Sequence, residues 1–75
     1  MKIEILGTGC AKCKTLYENT RAAVQEKGIE AEIVKIEDIQ SIMKYGVMST
    51  PALVVDGKVI FSGKTASAGE IKGLL

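Results

Sequence analysis

The chain has 75 residues, 47% of them hydrophobic, with ten Lys and Arg against nine Asp and Glu and a formal net charge of +1. That length fits one small domain over residues 1–75, and the composition is too apolar for a disordered chain. Balanced charge without a basic stripe, and only 4% aromatic residues, exclude the charge footprint and stacking platform of a nucleic-acid binder. No apolar run reaches the roughly 18 residues of a membrane span, and Lys2 and Glu4 interrupt any signal-peptide core, so the expectation is a cytoplasmic protein with no membrane partner.

In chain order, Lys2-Ile3-Glu4-Ile5-Leu6 is β-rich and imperfectly alternating, and reads as a first strand. Gly7-Thr8-Gly9 is a turn. A helix starts near Cys10 or Ala11 and runs to about Lys27. Cys13, Leu16, Tyr17, Thr20, Ala23 and Val24 form its apolar face, Lys12, Lys14, Glu18, Arg21, Gln25 and Glu26 the polar one, and Gly28 ends it. A second strand over Ala31–Ile36 follows, parallel to the first because a long helix connects them. Asp38 caps a short helix over Ile39–Tyr45, with Ile39, Ile42 and Met43 turned inward.

Gly46 stops that helix, and a loop leads to Pro51, the only proline. Ala52-Leu53-Val54-Val55 is a continuous apolar run, which suits a central strand. Asp56-Gly57 is a two-residue hairpin signal, and Lys58–Phe61 returns as an antiparallel edge. Ser67-Ala68-Gly69-Glu70 makes a capping box for a last short helix carrying Ile71, Leu74 and Leu75. The expected order is β-α-β-α-β-β-α.

Cys10 and Cys13 are the chain's two cysteines, and it has no histidine. A C-x-x-C pair closes too short a loop to staple a fold, so its use is chemical. Without histidine there is no Ser-His-Asp or Cys-His catalysis and no mixed Cys/His zinc site; a four-thiolate site would need a second chain. Two readings stand: a dithiol/disulfide pair, or two thiolates gripping one soft ion such as Cu(I). The lead is the redox pair. Free cysteine has a pKa of about 8.5. At a helix N-terminus, unpaired N–H groups and the positive end of the dipole favour the Cys10 thiolate. Lys12 and Lys14 add a weak, screened positive field.

Cys10-Ala11-Lys12-Cys13 after a first strand, then Tyr45-Gly46-Val47-Met48-Ser49-Thr50-Pro51-Ala52-Leu53-Val54-Val55, Asp56-Gly57 and Gly63, together resemble the thioredoxin superfamily over nearly the whole chain. The chain looks most like the short archaeal and bacterial thioredoxin-like redox-active disulfide proteins, which have glutaredoxin-like dimensions. The resemblance implies an α/β minimal thioredoxin fold, with a four-stranded mixed sheet and three helices. It implies a thiol-disulfide oxidoreductase or small dithiol electron carrier that reduces protein disulfides, with Cys10 attacking and Cys13 resolving. It implies a cis Thr50–Pro51 loop that contacts the partner chain, and a Gly63 that ends the hairpin near that loop. Gly9 stands where ordinary thioredoxins usually carry an aromatic residue, and Lys12 where they carry the proline between the cysteines.

The implied site therefore takes Cys10 and Cys13 as catalytic, with Gly9, Met48, Thr50, Pro51 and Gly63 as substrate-docking residues. No metal and no cofactor beyond the redox-active disulfide is assigned. The implied partners are a disulfide-containing protein and a thiol or flavoprotein reductase, acting on a monomer. Glu4 has two readings: proton acceptor for Cys13, or a charge on a partly exposed sheet face beside Lys2. Thr50-Pro51 read without the resemblance is an ordinary strand start. Tyr17 reads as core rather than site wall, Met43 as core filler, and Lys27, Lys35 and Lys44 as solvated surface.

Two other functions compete. A soft-metal metallochaperone-like module also places C-x-x-C after a first strand, but its order is β-α-β-β-α-β and it usually has methionine where this chain has Thr8. A non-catalytic interaction module is the third.

Overall fold

The structure is a computed structural model and describes residues 1–7 and 11–75. Its order is β1 (Lys2–Leu6), α1 (Ala11–Lys27), β2 (Glu32–Ile36), α2 (Ile39–Lys44), β3 (Ala52–Val55), β4 (Lys58–Ser62) and α3 (Ala68–Leu74). The expected minimal thioredoxin fold is therefore observed, and the β-α-β-β-α-β order of the metallochaperone-like reading is not this chain's. No helix among the described residues is long and apolar enough to cross a membrane.

The sheet runs β2-β1-β3-β4. β1 pairs parallel with β2, Ile3 opposite Ile33 and Ile5 opposite Lys35. On its other edge β1 pairs antiparallel with β3, Glu4 opposite Val54 and Leu6 opposite Ala52. The 17-residue α1 supplies the crossover that a parallel pair needs. Asp56 and Gly57 carry φ of 49° and 81°, the two positive values that a tight hairpin turn twisting with its strands demands. A register shift at Leu53/Val54 puts a bulge in the β3–β4 pair.

Side-chain alternation divides the core in two. Ile3 and Ile5 of β1 and Leu53 of β3 face α1 and α3, packing with Leu16, Ala23, Val24, Ala66 and Ile71. Leu6, Ala52 and Val54 face the other way and pack on Ile42 of α2. Ser67 closes the expected capping box with Glu70. Asn19 Nδ2 donates to the Ala66 carbonyl at 2.9 Å, tying α1 to the segment before α3.

α2 departs from expectation. Ile42 is buried, but Ile39 is 61% and Met43 68% exposed, so neither is core. The helix has only six residues, and the positions turned to the sheet are Ile42 and its cap residue Tyr45, three apart. Residues 39 and 43, four apart, share the solvent face. A contrast follows. Leu16→Ala should lower unfolding free energy by about 2–5 kcal/mol, and Met43→Ala should change it by less than about 0.5 kcal/mol. Urea titrations of the two variants measure both.

Candidate functional site

β1 ends at Leu6, and Gly7 continues its line, its N–H donating to the Ile36 carbonyl of β2 at 3.0 Å. Cys13 lies one turn into α1 and is buried. Helix and strand end meet at Gly7, where a Cβ would collide with Cys13 Sγ and lie 3.9 Å from Thr50 Cβ. The missing side chain is what lets the thiol and Thr50 share this corner of the sheet.

The loop from 46 to 51 delivers Thr50. The Thr50–Pro51 bond is cis, as the resemblance implies, and Pro51 is fully buried at the start of β3. The Pro51 carbonyl accepts from the Gly63 N–H at 2.9 Å. Gly63 holds φ of 74°, and a Cβ there would press on Ser49 Cβ at 3.0 Å. Both conformation and space call for glycine. The structure thus brings Cys13, Thr50, Pro51 and Gly63 to one end of the sheet. Cys10 and Gly9 lie outside the described residues.

The other proposed residues spread around this corner. A cavity of about 170 Å³ opens beside Cys13, lined by Ile5, Gly7, Lys14, Lys35 and Glu37. Lys14 therefore stands by the thiol, and Lys12 is exposed. Lys35, read from the sequence as solvated surface, lines this cavity with Glu37, which carries no sequence signal of its own. Lys35 Nζ also sits 4.4 Å over the Tyr17 ring, which is half-buried. Met48 is 96% exposed, beside a groove with Met43, Gly46 and Val47.

Glu4 is only 7% exposed, which corrects the reading of a charge on a partly exposed face. Alternation points it with Leu6 toward α2, away from Ile5, Gly7 and the Cys13 corner. The Tyr45 hydroxyl lies 2.8 and 2.9 Å from its two carboxylate oxygens and donates to them. Sequence reasoning missed this role of Tyr45. A polar interruption of β1 facing a tyrosine at the end of α2 was the available signal.

A thioredoxin domain family model matches residues 1–75. A protein named thioredoxin from Methanothermobacter thermautotrophicus is 48% identical over 75 residues, covering 100% of this chain and 97% of that protein. Another named thioredoxin, from Methanocaldococcus jannaschii, is 49% identical over 70 residues, 93% of this chain and 80% of that protein. The chain belongs to the thioredoxin family, and with it to the thiol-disulfide oxidoreductases.

Two outcomes follow from this geometry. Gly7→Ala should cost about 1–3 kcal/mol through overpacking against Cys13. Gly73→Ala, in α3 with open space around it, should gain up to about 1 kcal/mol of helix propensity; thermal melts of both variants check the contrast. The second concerns pH. The hydrogen bond it donates to Glu4, then burial, then the Glu4 charge, raise the pKa of the Tyr45 hydroxyl above its ordinary 10.0. A folded value above the unfolded one favours the protonated form. The stability it adds is complete below about pH 10 and is lost as pH climbs through the folded value. The stability gap between wild type and Tyr45→Phe should be steady up to about pH 9 and shrink above about pH 10, as read by urea midpoints across the range.

Proposed function

We propose that the protein is a protein-disulfide reductase or small dithiol electron carrier working through Cys10 and Cys13. The observation that supports this best is the meeting of Cys13 Sγ and Thr50 at Gly7, beside a buried Pro51. A buried second thiol next to an exposed loop residue suits a resolving role, with the loop receiving an extended partner segment.

In this reading the Cys10 thiolate attacks one sulfur of a client disulfide. The client S–S bond breaks, one client thiolate leaves, and a mixed disulfide with Cys10 forms. Cys13, having given its proton to solvent, attacks the Cys10 sulfur and expels the second client thiolate. The client gains two electrons and takes up two protons, and the protein ends as the Cys10–Cys13 disulfide. A thiol or flavoprotein reductase returns the two electrons. Lys14 lines the cavity beside Cys13, and Lys12 and Lys14 add a weak, screened positive field that favours the attacking Cys10 thiolate. Thr50 and the exposed Met48 line the client's path, with Gly63 holding the loop from behind, and Gly9, next to Cys10 in sequence, is assigned to docking by the resemblance.

The test is insulin reduction in a defined dithiol/disulfide buffer. Cys10→Ser and Cys13→Ser should both lose turnover, and only Cys13→Ser should accumulate a mixed disulfide, visible by mass spectrometry. Accumulation through Cys13 in the Cys10→Ser variant instead would reverse the roles. A wild type that does not cycle between dithiol and disulfide would remove the proposal.

A further inference from the structure

The loop beside Cys13 is held at its far end, by the buried Pro51 and its hydrogen bond to Gly63. Its near end leaves α2 at Tyr45 and Gly46. α2 itself is weakly seated: of its six residues only Ile42 is buried, and Ile39 and Met43 face solvent. That end is also held by the Tyr45 ring and Val47, half-buried against the Leu6–Ile42 cluster, and its one side-chain hydrogen bond to the sheet among the described residues is the Tyr45 hydroxyl on Glu4. Glu4 lies on β1, an interior strand paired on both edges, so its carboxylate is a fixed point. A hydrogen bond to a charged acceptor is among the stronger ones, and a buried carboxylate that loses its donor is costly.

We propose that Tyr45 is a positioning residue for disulfide exchange. Bonded to Glu4, it fixes the start of the 46–51 loop and so sets where Thr50 stands relative to Cys13. Tyr45 touches no reacting atom. It sits on the opposite face of the sheet from the Cys13 cavity, and acts along the six residues from its own position to Thr50. Glu4 is the anchor of this device. The inference rests on the reductase reading for its effect on rate, but its effect on the loop stands apart from it.

The role predicts a selective defect. A polypeptide disulfide must lie along the loop, whereas a small aromatic disulfide needs only the thiols. Tyr45→Phe should therefore lower kcat/KM for insulin by about tenfold, mostly through KM, the size of one lost charge-assisted hydrogen bond. Reduction of dithiobis-nitrobenzoate should change by less than about twofold. Amide hydrogen exchange supplies the second readout. The Gly63 N–H, which reports the loop through Pro51, should exchange about tenfold faster. The Gly7 N–H, bonded within the sheet edge to Ile36, should be unchanged. Glu4→Leu removes the anchor without leaving a buried charge and should reproduce both effects. Glu4→Gln keeps an acceptor for the tyrosine and should restore them to near wild type.

Gly63 protection equal to wild type in Tyr45→Phe and Glu4→Leu overturns the proposal. So does an equal loss on both disulfides, which marks general destabilisation. A wild type inactive on both disulfides sinks the reductase reading alone, and the Gly63 measurement then decides the positioning role.

Discussion

β1 is hydrogen-bonded along both edges and covered on both faces, and the other elements take their places from it. Its parallel edge obliges α1 to cross over, and its antiparallel edge brings β3 back beside it. Five residues make up the strand, and four of them are buried. Where the strand ends, the chain has Gly7, and the side chain it lacks is the room that Cys13 and Thr50 occupy. The site is a property of the strand's end more than of any loop.

The two faces of β1 serve different ends. Ile3 and Ile5 bury against α1 and α3, an all-apolar contact that stabilises without specifying much beyond shape. Leu6 and Glu4 face α2, where apolar area is small and a carboxylate sits in its midst. Such a group is tolerated only when bonded. The bond is to Tyr45, and it accompanies the rotation of α2 that turns Ile42 and Tyr45 inward and Ile39 and Met43 outward.

Much of this was legible in the sequence. Ser67 with Glu70, Asp56-Gly57 and the α1 stripe carry local rules that the fold obeys, and the element order followed from them. Boundaries moved by a residue: β2 begins at Glu32 instead of Ala31, and Tyr45 caps α2 instead of continuing it. The cis bond before Pro51 was legible only through family resemblance, since proline before a strand has an ordinary meaning. What stayed hidden depends on contacts distant in sequence. Glu4 looked solvated because alternation says which side a residue faces but not what covers that side. Ile39 and Met43 looked buried because a six-residue helix offers several apolar stripes, and its partner decides among them. Cys10 and Gly9, at the centre of the sequence reading, lie outside the described residues.

The hydrogen bond from the Lys2 N–H to Asp56 Oδ1 joins positions 54 apart, and the antiparallel register beside it pairs Ile3 with Val55, 52 apart. β1 precedes both of its sheet neighbours in the chain, and its second neighbour is synthesised only after two helices and another strand. Until then the nascent chain can form a β1-α1-β2 unit, with one edge of its central strand open. Contacts that close so long a loop form late and slow the folding of so short a chain. The open edge in that interval, apolar on one face and acidic at Glu4 on the other, is the surface on which a holding chaperone or a neighbouring chain would act first.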